Sequence, residues 1–484
     1  MHEIFLDHAA TTPVHPDVLG VMLPFFGNYF GSPGSQSSFS DKPREAIQEA
    51  REQVARLIGA DAFEIVFTSG GTESVNMAVL GAARAKGARS GHIITSSIEH
   101  ACVLRACLHL EAEGWRVTYL PVDHLGIVDP ASVEEAIRDD TILISIMHVN
   151  NEVGTIEPIK EIGFIARKRG ITFHCDAIQS AGKIAIDVHE LNIDLLSISS
   201  HKLYGPKGVG ALYVRHGVAI SPVLFGSGQE RGLKPGTMNV PGIVGLGKAC
   251  EIALRDLDRN AMKVKTLRDK LEQVLLEQIS GARVNGAQAS RIPHILSLSC
   301  EGIPGDALTA WLDLEGIIAS ASASLFSRRP SHVLSAMGIP VELAFGTLRF
   351  SPGWENTEAE IIMAADTIVH ATTSLREFSA RVGSDETCIV TFSCKDDAKR
   401  AAESLKDEDI PFVVTVRPVE LSHLKGTQIA LALACPQEDK AGALIGERQI
   451  AITGMHRLKG LCRVQGTKEK QFWNKVSKIK NNRD

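Results

Sequence analysis

The stretch SISSHKLYGPKGVGALYV, residues 197–214, decides the fold class that this sequence predicts. It contains a short apolar strand that ends in Ser-Ser-His-Lys, then a glycine-rich turn and a second apolar strand. A lysine at a strand end in a deep α/β cleft can lose its charge by desolvation and act as a nucleophile. Lys202 holds that place. A glycine-rich hairpin with a surface lysine would have the same local pattern, so the surrounding segments must distinguish the two.

Short apolar runs continue on the N-terminal side of this stretch, and helix-like segments separate them. The runs are rich in β-branched residues, and several are apolar on both faces, as in a buried and mostly parallel sheet. We predict a large α/β domain over residues 16–255 with about seven strands. The predicted strands are EIVFTS, HIITSS, RVTYLPV, TILISIMHV, ITFHCDA, LLSIS and GALYV.

The chain after residue 255 has a different pattern. Residues 256–378, with residues 1–15, predict a smaller α+β domain that begins with a long amphipathic helix. Residues 385–464 predict an appended domain of a strand, a helix and two further strands. Residues 465–484 are a basic, polar tail.

Composition excludes several classes of protein. The 484 residues are 44% hydrophobic and carry a net charge of −6, which favours neither nucleic acid nor a membrane surface as a partner. The nine cysteines are scattered without a Cys-x-x-Cys pair, so we expect reduced thiols in a cytoplasmic protein and no metal site. We expect no signal peptide and no membrane span, because no apolar run approaches about 20 residues.

Polar residues follow several of the predicted strands. Asp176 and Gln179 come directly after one strand, and an acid in such a place can keep a heteroaromatic nitrogen protonated. In FTSGGTES, residues 67–74, a strand leads into a small-residue turn that opens a helix, a pattern typical of a phosphate cradle. His100 and Asn151 follow two other strands. Open α/β sheets bind ligands at these strand ends.

These segments together resemble the cysteine desulfurases, pyridoxal-phosphate enzymes of the class V aminotransferase group. The resemblance runs from IFLDHAATTP to about residue 375, and it implies the PLP-dependent transferase fold. The segments that carry it are LDHAATTP, FTSGGTESVN, SSIEH, HVNNEVG, DAIQSAGK, SSHKLYGPKGVGALYV, ERGLKPGT, PSHVLSAMG and LRFSPG. Their number and common order carry the identification, because each motif alone is weak.

The resemblance implies a role for each matching residue. Lys202 would form the Schiff base with pyridoxal 5'-phosphate and then move protons, and His100 would stack on the cofactor ring and assist. Asp176 would hold the pyridine nitrogen, and Gln179 the ring oxygen. The residues implied in phosphate binding are Gly71, Thr72, Ser199 and His201.

Three further roles concern the substrate and a second subunit. Thr237, in ERGLKPGT, would reach the phosphate bound by the other subunit, which implies a homodimer. Arg349 would bind the carboxylate of the amino-acid substrate by a two-pronged contact, and Asn151 would assist. The implied substrate is cysteine or selenocysteine, and the implied products are alanine and sulfur or selenium for an acceptor protein, as in iron–sulfur cluster biogenesis.

One loop departs from the family pattern. The family usually has Ser-Gly-Ser-Ala-Cys before Pro-Ser-His-Val-Leu, and that cysteine takes the sulfur. Here the segment is IIASASASLFSRRPSHVL, residues 317–334, and Ser324 or Leu325 stands opposite the cysteine. Neither side chain can hold a persulfide, so the usual sulfur relay is missing. SPGSQS, residues 32–37, also replaces the usual Asn-Pro-Ser-Ser-x-His.

Three hypotheses remain open. In the first, the enzyme is a desulfurase whose thiol is supplied elsewhere, by a separate acceptor or by Cys388, Cys394, Cys435 or Cys462; the appended domain resembles small proteins proposed to carry sulfur or selenium. We favour Cys394 among them, because it precedes a predicted helix. In the second, the enzyme acts on selenocysteine or another β-substituted amino acid, whose leaving group needs no enzyme thiol. The third hypothesis is a cofactor-binding scaffold without catalysis.

Overall fold

The computed structural model describes residues 3–85, 89–322, 330–381, 386–408, 410, 412–416, 427, 429–434 and 437–459. The chain divides into two compact units. The large unit comprises His8–Val264 and Gly286–Ile295. The small unit comprises the described residues of Met1–Asp7, Lys265–Asn285 and Leu296–Lys475.

The elements alternate along most of the chain. The strands are β1 (Ile4–Phe5), β2 (Ile65–Thr68), β3 (His92–Ser96), β4 (Arg116–Leu120), β5 (Thr141–Ser145), β6 (Thr172–Asp176), β7 (Leu195–Ser199), β8 (Gly210–Val214), β9 (Ala282–Val284), β10 (Leu296–Cys300), β11 (Ile317–Ile318), β12 (Ser320–Ala321), β13 (Thr347–Phe350), β14 (Glu386–Phe392), β15 (Phe412–Val416), β16 (Ile429–Ala434) and β17 (Ile452–Lys459). The α-helices are α1 (Pro16–Met22), α2 (Pro24–Gly27), α3 (Asp41–Ile58), α4 (Gly71–Ala83), α5 (Ala101–Ala112), α6 (Pro130–Ala136), α7 (Ile159–Arg169), α8 (Val240–Arg255), α9 (Leu257–Gln278), α10 (Gly305–Leu314), α11 (His332–Ala336), α12 (Val341–Phe345), α13 (Glu358–Arg381), α14 (Lys395–Asp407) and α15 (Glu438–Glu447). Within the described residues, none of these helices is long and apolar enough to cross a membrane.

The large unit is built on a seven-stranded sheet. Its strand order is β2-β8-β7-β6-β5-β3-β4. The strands from β7 to β4 run parallel, and β8 is antiparallel to both of its neighbours. The sequence-based prediction of a mostly parallel sheet with about seven strands is therefore confirmed, and each predicted run forms one of these strands.

Burial explains why these runs form strands. Every residue of β7 and β8 is buried, as the apolar pattern on both faces predicts. Helix α3 is amphipathic: it buries one face and ends at Gly59, whose φ of 69° closes the helix in the left-handed conformation. Helix α4 is instead buried over most of its surface. The parallel strands all present their carboxyl ends at one edge of the sheet, where the polar residues of the site follow them.

The small unit contains two antiparallel four-stranded sheets. The first has the order β12-β13-β10-β9, and β1 pairs separately with β11. The second has the order β15-β16-β14-β17. Its chain path is strand, helix, two strands, helix and strand, which is the ferredoxin-like arrangement. The sequence analysis missed its last two elements, α15 and β17.

Apolar cores lie on both faces of the second sheet. On one face Ile389, Ala430 and Ala432 belong to the same apolar core as residues of α10 and α13. On the other face Val390 and Leu431 pack with the apolar sides of α14 and α15. The domain boundary near residue 385 remains a prediction.

Candidate active site

Lys202 lies in a short 3₁₀ turn, Ser200–Lys202, directly after β7. Its half-buried Nζ donates hydrogen bonds to the backbone oxygens of Ala9 at 2.6 Å and Ala10 at 2.7 Å. The N-terminal segment is fastened to the same turn, because Thr12 Oγ1 donates to the His201 backbone oxygen at 2.9 Å. The ammonium group is therefore held by the LDHAATTP segment.

Asp176 and Gln179 lie beside this lysine. Gln179 Nε2 donates to the Ala9 oxygen at 2.9 Å, so Lys202 and Gln179 share one acceptor atom. The buried Asp176 accepts from the backbone N–H of Ile178 at 3.0 Å. Burial raises the pKa of Asp176 to about 6, while the Ile178 hydrogen bond and the charge of Lys202 act in the opposite direction. Among the described residues, the buried Gln179 Oε1 has no hydrogen-bond partner.

A cavity of about 390 Å³ opens at the N-terminus of α4. Helix N-termini attract anions because their first backbone N–H groups lack acceptors within the helix. Glu73 also lines the cavity, but its carboxylate is used by the Ser69 N–H. The cavity's lining residues are Thr11, Ser69, Gly70, Gly71, Thr72, Glu73, Ser199, His201, Lys207 and Gly208.

Gly71 explains how α4 can lie so close to the sheet edge. A Cβ at this position would be 2.3 Å from Ile178 Cδ1 and 3.3 Å from Ser199 Cβ. The absence of a side chain therefore lets the first turn of the helix approach the ends of β6 and β7.

His201 faces Thr11 at the other side of this cavity. The two side chains are 3.1 Å apart, from Nδ1 to Oγ1. The pKa of His201 is lowered to about 4, first by burial and then by Lys202, Lys207 and Lys183. The imidazole is therefore neutral near pH 7 and can act as a hydrogen-bond donor. The structure thus brings together all four residues predicted to bind phosphate.

His100 and Asn151 are at the same edge of the sheet. His100 is the N-cap of α5, and its Nδ1 accepts from the backbone N–H of Cys102 at 3.2 Å. Cys102 Sγ also lies 2.9 Å from that nitrogen. When the ring is neutral, its proton is therefore on Nε2. Asn151 lies in the turn after β5, beside Asn150, whose Oδ1 accepts from the backbone of Val153. Neither His100 nor Asn151 lines the cavity at α4.

Thr237 lies in a different place from the phosphate residues. It lines a second cavity, of about 210 Å³, with Ser32, Pro33, Gly34, Arg44, Ile47, Gln229 and Met238. This cavity includes the start of the SPGSQS segment that departs from the family pattern.

Arg349 belongs to the small unit, on β13. Its guanidinium Nη2 donates to Asp7 Oδ1 at 2.9 Å, and the other oxygen of Asp7 accepts from Ser320 Oγ at 2.8 Å. The side chain is 11% exposed. Ser324 and Leu325, opposite the family cysteine, lie outside the described residues.

The candidate sulfur-accepting thiols differ in what the structure shows. Cys394 is the exposed one among the six cysteines whose side chains are described, and it is the N-cap of α14. Its Sγ donates to Asp397 Oδ2 at 3.2 Å, so its hydrogen-bond partner is a carboxylate. Cys388 lies on β14, and Cys435 and Cys462 lie outside the described residues. Among the described residues, no group of His, Cys, Asp and Glu is arranged to hold a metal ion.

The large unit therefore presents an amine, a buried carboxylate, an amide and an anion cradle around one sheet edge. These groups fit pyridoxal phosphate. The cavity at α4 suits its phosphate, and the buried Gln179 side chain has an atom without a partner among the described residues. The roles of the Ala9 and Ala10 carbonyls and of Thr11 and Lys207 were not predicted from the sequence, although these residues lie in the LDHAATTP and GPKG segments that carry the family resemblance.

Comparison with known proteins agrees with this site. Residues 4–363 match the family described as aminotransferase class-V. The chain is 47% identical over 379 residues to the cysteine desulfurase IscS of Dictyoglomus turgidum, covering 78% of this chain and 96% of that protein. It is also 47% identical over 378 residues to the cysteine desulfurase IscS of Methanosarcina thermophila, covering 78% and 93%.

The chain is also similar to solved structures of NifS-like and related proteins. A NifS-like protein is 38% identical with a TM-score of 0.73, covering 77% of this chain and all of that one. SspA in complex with cysteine is 39% identical with a TM-score of 0.65, covering 74% of this chain and 100% of that one. The chain belongs to the aminotransferase class-V family and is a pyridoxal-phosphate-dependent enzyme.

Proposed function

We propose that this enzyme removes sulfur from cysteine, or selenium from selenocysteine, and releases alanine. The observation that carries the proposal is the shared Ala9 carbonyl, which holds Lys202 and Gln179 together beside Asp176 and the cavity at α4. The relatives named cysteine desulfurase, which cover most of the chain, support the same reaction class.

Different residues of the large unit would bind different parts of the cofactor. Gly71, Thr72, Ser199 and His201 would bind the phosphate at the N-terminus of α4. Asp176 would bind the pyridine nitrogen, and Gln179 the ring oxygen. When bound, pyridoxal phosphate supplies an electron sink that stabilises negative charge at the substrate's α-carbon.

Lys202 and His100 would handle protons. The Lys202 amine would attach the cofactor covalently and, once displaced by the substrate amine, would take and return the α-proton at Nζ. The Ala9 and Ala10 oxygens orient this amine. His100 holds its proton at Nε2, because Nδ1 accepts from the Cys102 backbone.

Substrate binding would rest on Arg349 and Asn151. The guanidinium of Arg349 would hold the substrate carboxylate by two hydrogen bonds, with Asn151 assisting. Asp7 holds Arg349 by one nitrogen, Nη2, and thereby orients the guanidinium plane.

A homodimer would complete the site, with Thr237 of one subunit reaching the phosphate of the other. Exposed apolar side chains cluster in the segment that also supplies Ser32–Gly34 to the Thr237 cavity, and Phe30 packs on Phe39 with ring centroids 5.9 Å apart. Large exposed apolar patches mark association surfaces. The exposed side chains of this segment are Leu19, Leu23, Phe26, Tyr29, Phe30 and Phe39.

The sulfur step needs an acceptor thiol, because the C–S bond of cysteine breaks as an S–S bond forms on the acceptor. We propose Cys394 or a separate acceptor protein for this role, with the appended domain acting as a carrier. Selenocysteine is a second candidate substrate. The absence of cysteine from residues 317–334 favours it, because the weak C–Se bond can break without an enzyme thiol: its electron pair stays on the β-carbon, which takes a proton to give alanine, and selenium leaves as the element.

Alanine release from the purified holoenzyme tests the function. We expect alanine from L-cysteine and from L-selenocysteine, and the dependence of its release on added dithiothreitol identifies the sulfur acceptor. Alanine from cysteine without added thiol, together with persulfide on the protein, indicates a thiol within this chain; without that persulfide, free cysteine is the acceptor. Alanine from selenocysteine alone indicates that release depends on the leaving group, and alanine from cysteine only with dithiothreitol indicates an external acceptor. No alanine from either substrate with cofactor bound would overturn the proposal and favour a scaffold.

Replacement of Cys394 by serine tests the internal relay. If Cys394 accepts the sulfur, Cys394→Ser should abolish persulfide labelling of the chain after incubation with cysteine, because a hydroxyl cannot hold a persulfide. Ser393→Ala is the matched control: Ser393 also donates to Asp397, at 2.8 Å, and its loss should leave labelling unchanged. Labelling that survives in Cys394→Ser removes this cysteine from the mechanism.

A further inference from the structure

A chain of hydrogen-bonded polar side chains passes through the core of the large unit. Ser145 Oγ lies 2.8 Å from His174 Nδ1, and His174 Nε2 lies 3.0 Å from Ser197 Oγ. Ser74 Oγ lies 2.9 Å from Ser197 Oγ and 2.9 Å from the backbone oxygen of Ala211. All four side chains belong to residues that are 0% exposed. The chain thus links β5, β6, β7 and β8 to helix α4.

The hydrogen-bonded side chains lie at a fixed spacing along the strands from the residues of the site. His174 is two residues before Asp176, and Ser197 is two residues before Ser199, so each pair shares one face of its strand. Ser74 is in the first turns of α4, whose N-terminus forms the cavity. The polar chain therefore lies one layer below the residues that surround that cavity.

Polar side chains are unusual at such positions. Strands of a parallel sheet that is buried on both faces are normally apolar, and a buried hydroxyl without a partner is destabilising. Burial lowers the pKa of His174 to about 3, so the chain is uncharged at neutral pH. Hydrogen bonds are directional, whereas apolar contacts are not, so this chain defines the position of α4 along the sheet more closely than apolar packing could.

The first turn of α4 has little freedom to move. On one side the missing side chain of Gly71 allows close contact with Ile178 and Ser199. One turn further, Ser74 is bonded to Ser197 and Ala211. A small displacement of α4 would therefore change the distances from Ser199 to Thr72 and to the N-terminal N–H groups of the helix.

We infer that the Ser145–His174–Ser197–Ser74 chain positions the N-terminus of α4 against the ends of β6 and β7, and thereby sets the affinity for the cofactor's phosphate. Ser74 acts through Ser197 and α4, so it is a positioning residue. This inference rests on the proposed phosphate role of the cavity at α4.

Binding of two cofactor forms to apoenzyme tests the inference. We expect Ser74→Ala to weaken pyridoxal phosphate binding about tenfold, because Ser197 loses a buried partner and α4 loses its link to the sheet. Binding of pyridoxal, which lacks the phosphate, should change by less than about twofold, because Lys202, Asp176 and Gln179 are unaffected. Equilibrium titration followed by cofactor absorbance gives both dissociation constants. Ser197→Ala provides a second variant, should Ser74→Ala fail to fold.

The matched control is Ser299→Ala in the small unit. Ser299 is 1% exposed and hydrogen-bonded to Asn285 and Thr347, so its loss should lower thermal stability comparably without changing either dissociation constant. An equal loss of affinity for both ligands in Ser74→Ala, or no loss, would overturn the inference, as would the same phosphate-specific loss in Ser299→Ala. If the native enzyme binds both forms equally, the phosphate role of the cavity itself is wrong.

Discussion

Replacement of Lys202 by alanine is expected to abolish the visible absorbance of covalently bound cofactor and to lower alanine release about a thousandfold or more. The reason is positional as well as chemical. The Ala9 and Ala10 oxygens hold the Lys202 amine beside Gln179 and Asp176. Lys202→Arg should fail in the same way, because arginine keeps the charge but is not deprotonated in proteins.

Lys207→Ala is the matched control for this prediction. Lys207 lines the same cavity, but its side chain is exposed. Its removal should weaken cofactor binding modestly and leave the absorbance of the covalently bound form intact in saturating cofactor. A Lys202→Ala enzyme that keeps this absorbance would disprove the assignment of the lysine.

Breaking the ion pair between Arg51 and Glu230 is expected to lower the free energy of unfolding by about 3–5 kcal/mol, because it leaves a buried charge without its partner. The guanidinium and carboxylate form two hydrogen bonds, at 2.6 and 2.9 Å, and the Phe67 N–H donates to the same carboxylate at 2.7 Å. The Glu230 side chain is only 4% exposed. Arg51→Met, measured by urea unfolding, tests the prediction.

The loop that this ion pair fastens is strained. Glu230 and Arg231 have φ values of 47° and 58°, which are uncommon for residues with a side chain. We expect Arg51→Met to release this loop, which carries Gln229 and Thr237 to the second cavity. The strain of this loop lowers the free energy of unfolding, and the ion pair raises it. The contribution of the ion pair is the larger one, because the pair is buried.

Two further variants separate pair loss from general disruption. The double variant Arg51→Met/Glu230→Gln should be less destabilised than the sum of the single variants, because it removes both charges. Lys42→Met breaks an exposed pair with Glu45 and should leave the free energy of unfolding almost unchanged. A loss below 1 kcal/mol in Arg51→Met would show that the buried pair contributes little.

The strands and helices of the large unit could be predicted from the sequence, because buried positions in each element are apolar at a characteristic spacing. Runs of β-branched residues predicted all seven strands of the large sheet, and strand ends predicted where Lys202, Asp176 and His100 lie. The resemblance to cysteine desulfurases assigned their roles. In the appended domain, α15 and β17 were missed because the first is short and glycine-containing and the second mixes polar and apolar residues without clean alternation.

Contacts between distant segments could be seen only in the tertiary structure. The Ala9 oxygen joins Lys202 and Gln179 across about 170 residues or more of chain, and no local pattern marks a backbone carbonyl as an acceptor. The same is true of the covering of both faces of the β15-β16-β14-β17 sheet, where Trp311 stacks on Phe412 with ring centroids 6.1 Å apart. The periodicity of the sequence indicates whether a side chain is buried. The tertiary fold determines which groups it is buried against, and it places Ser74, Ser197 and His174 in one hydrogen-bonded network below the site.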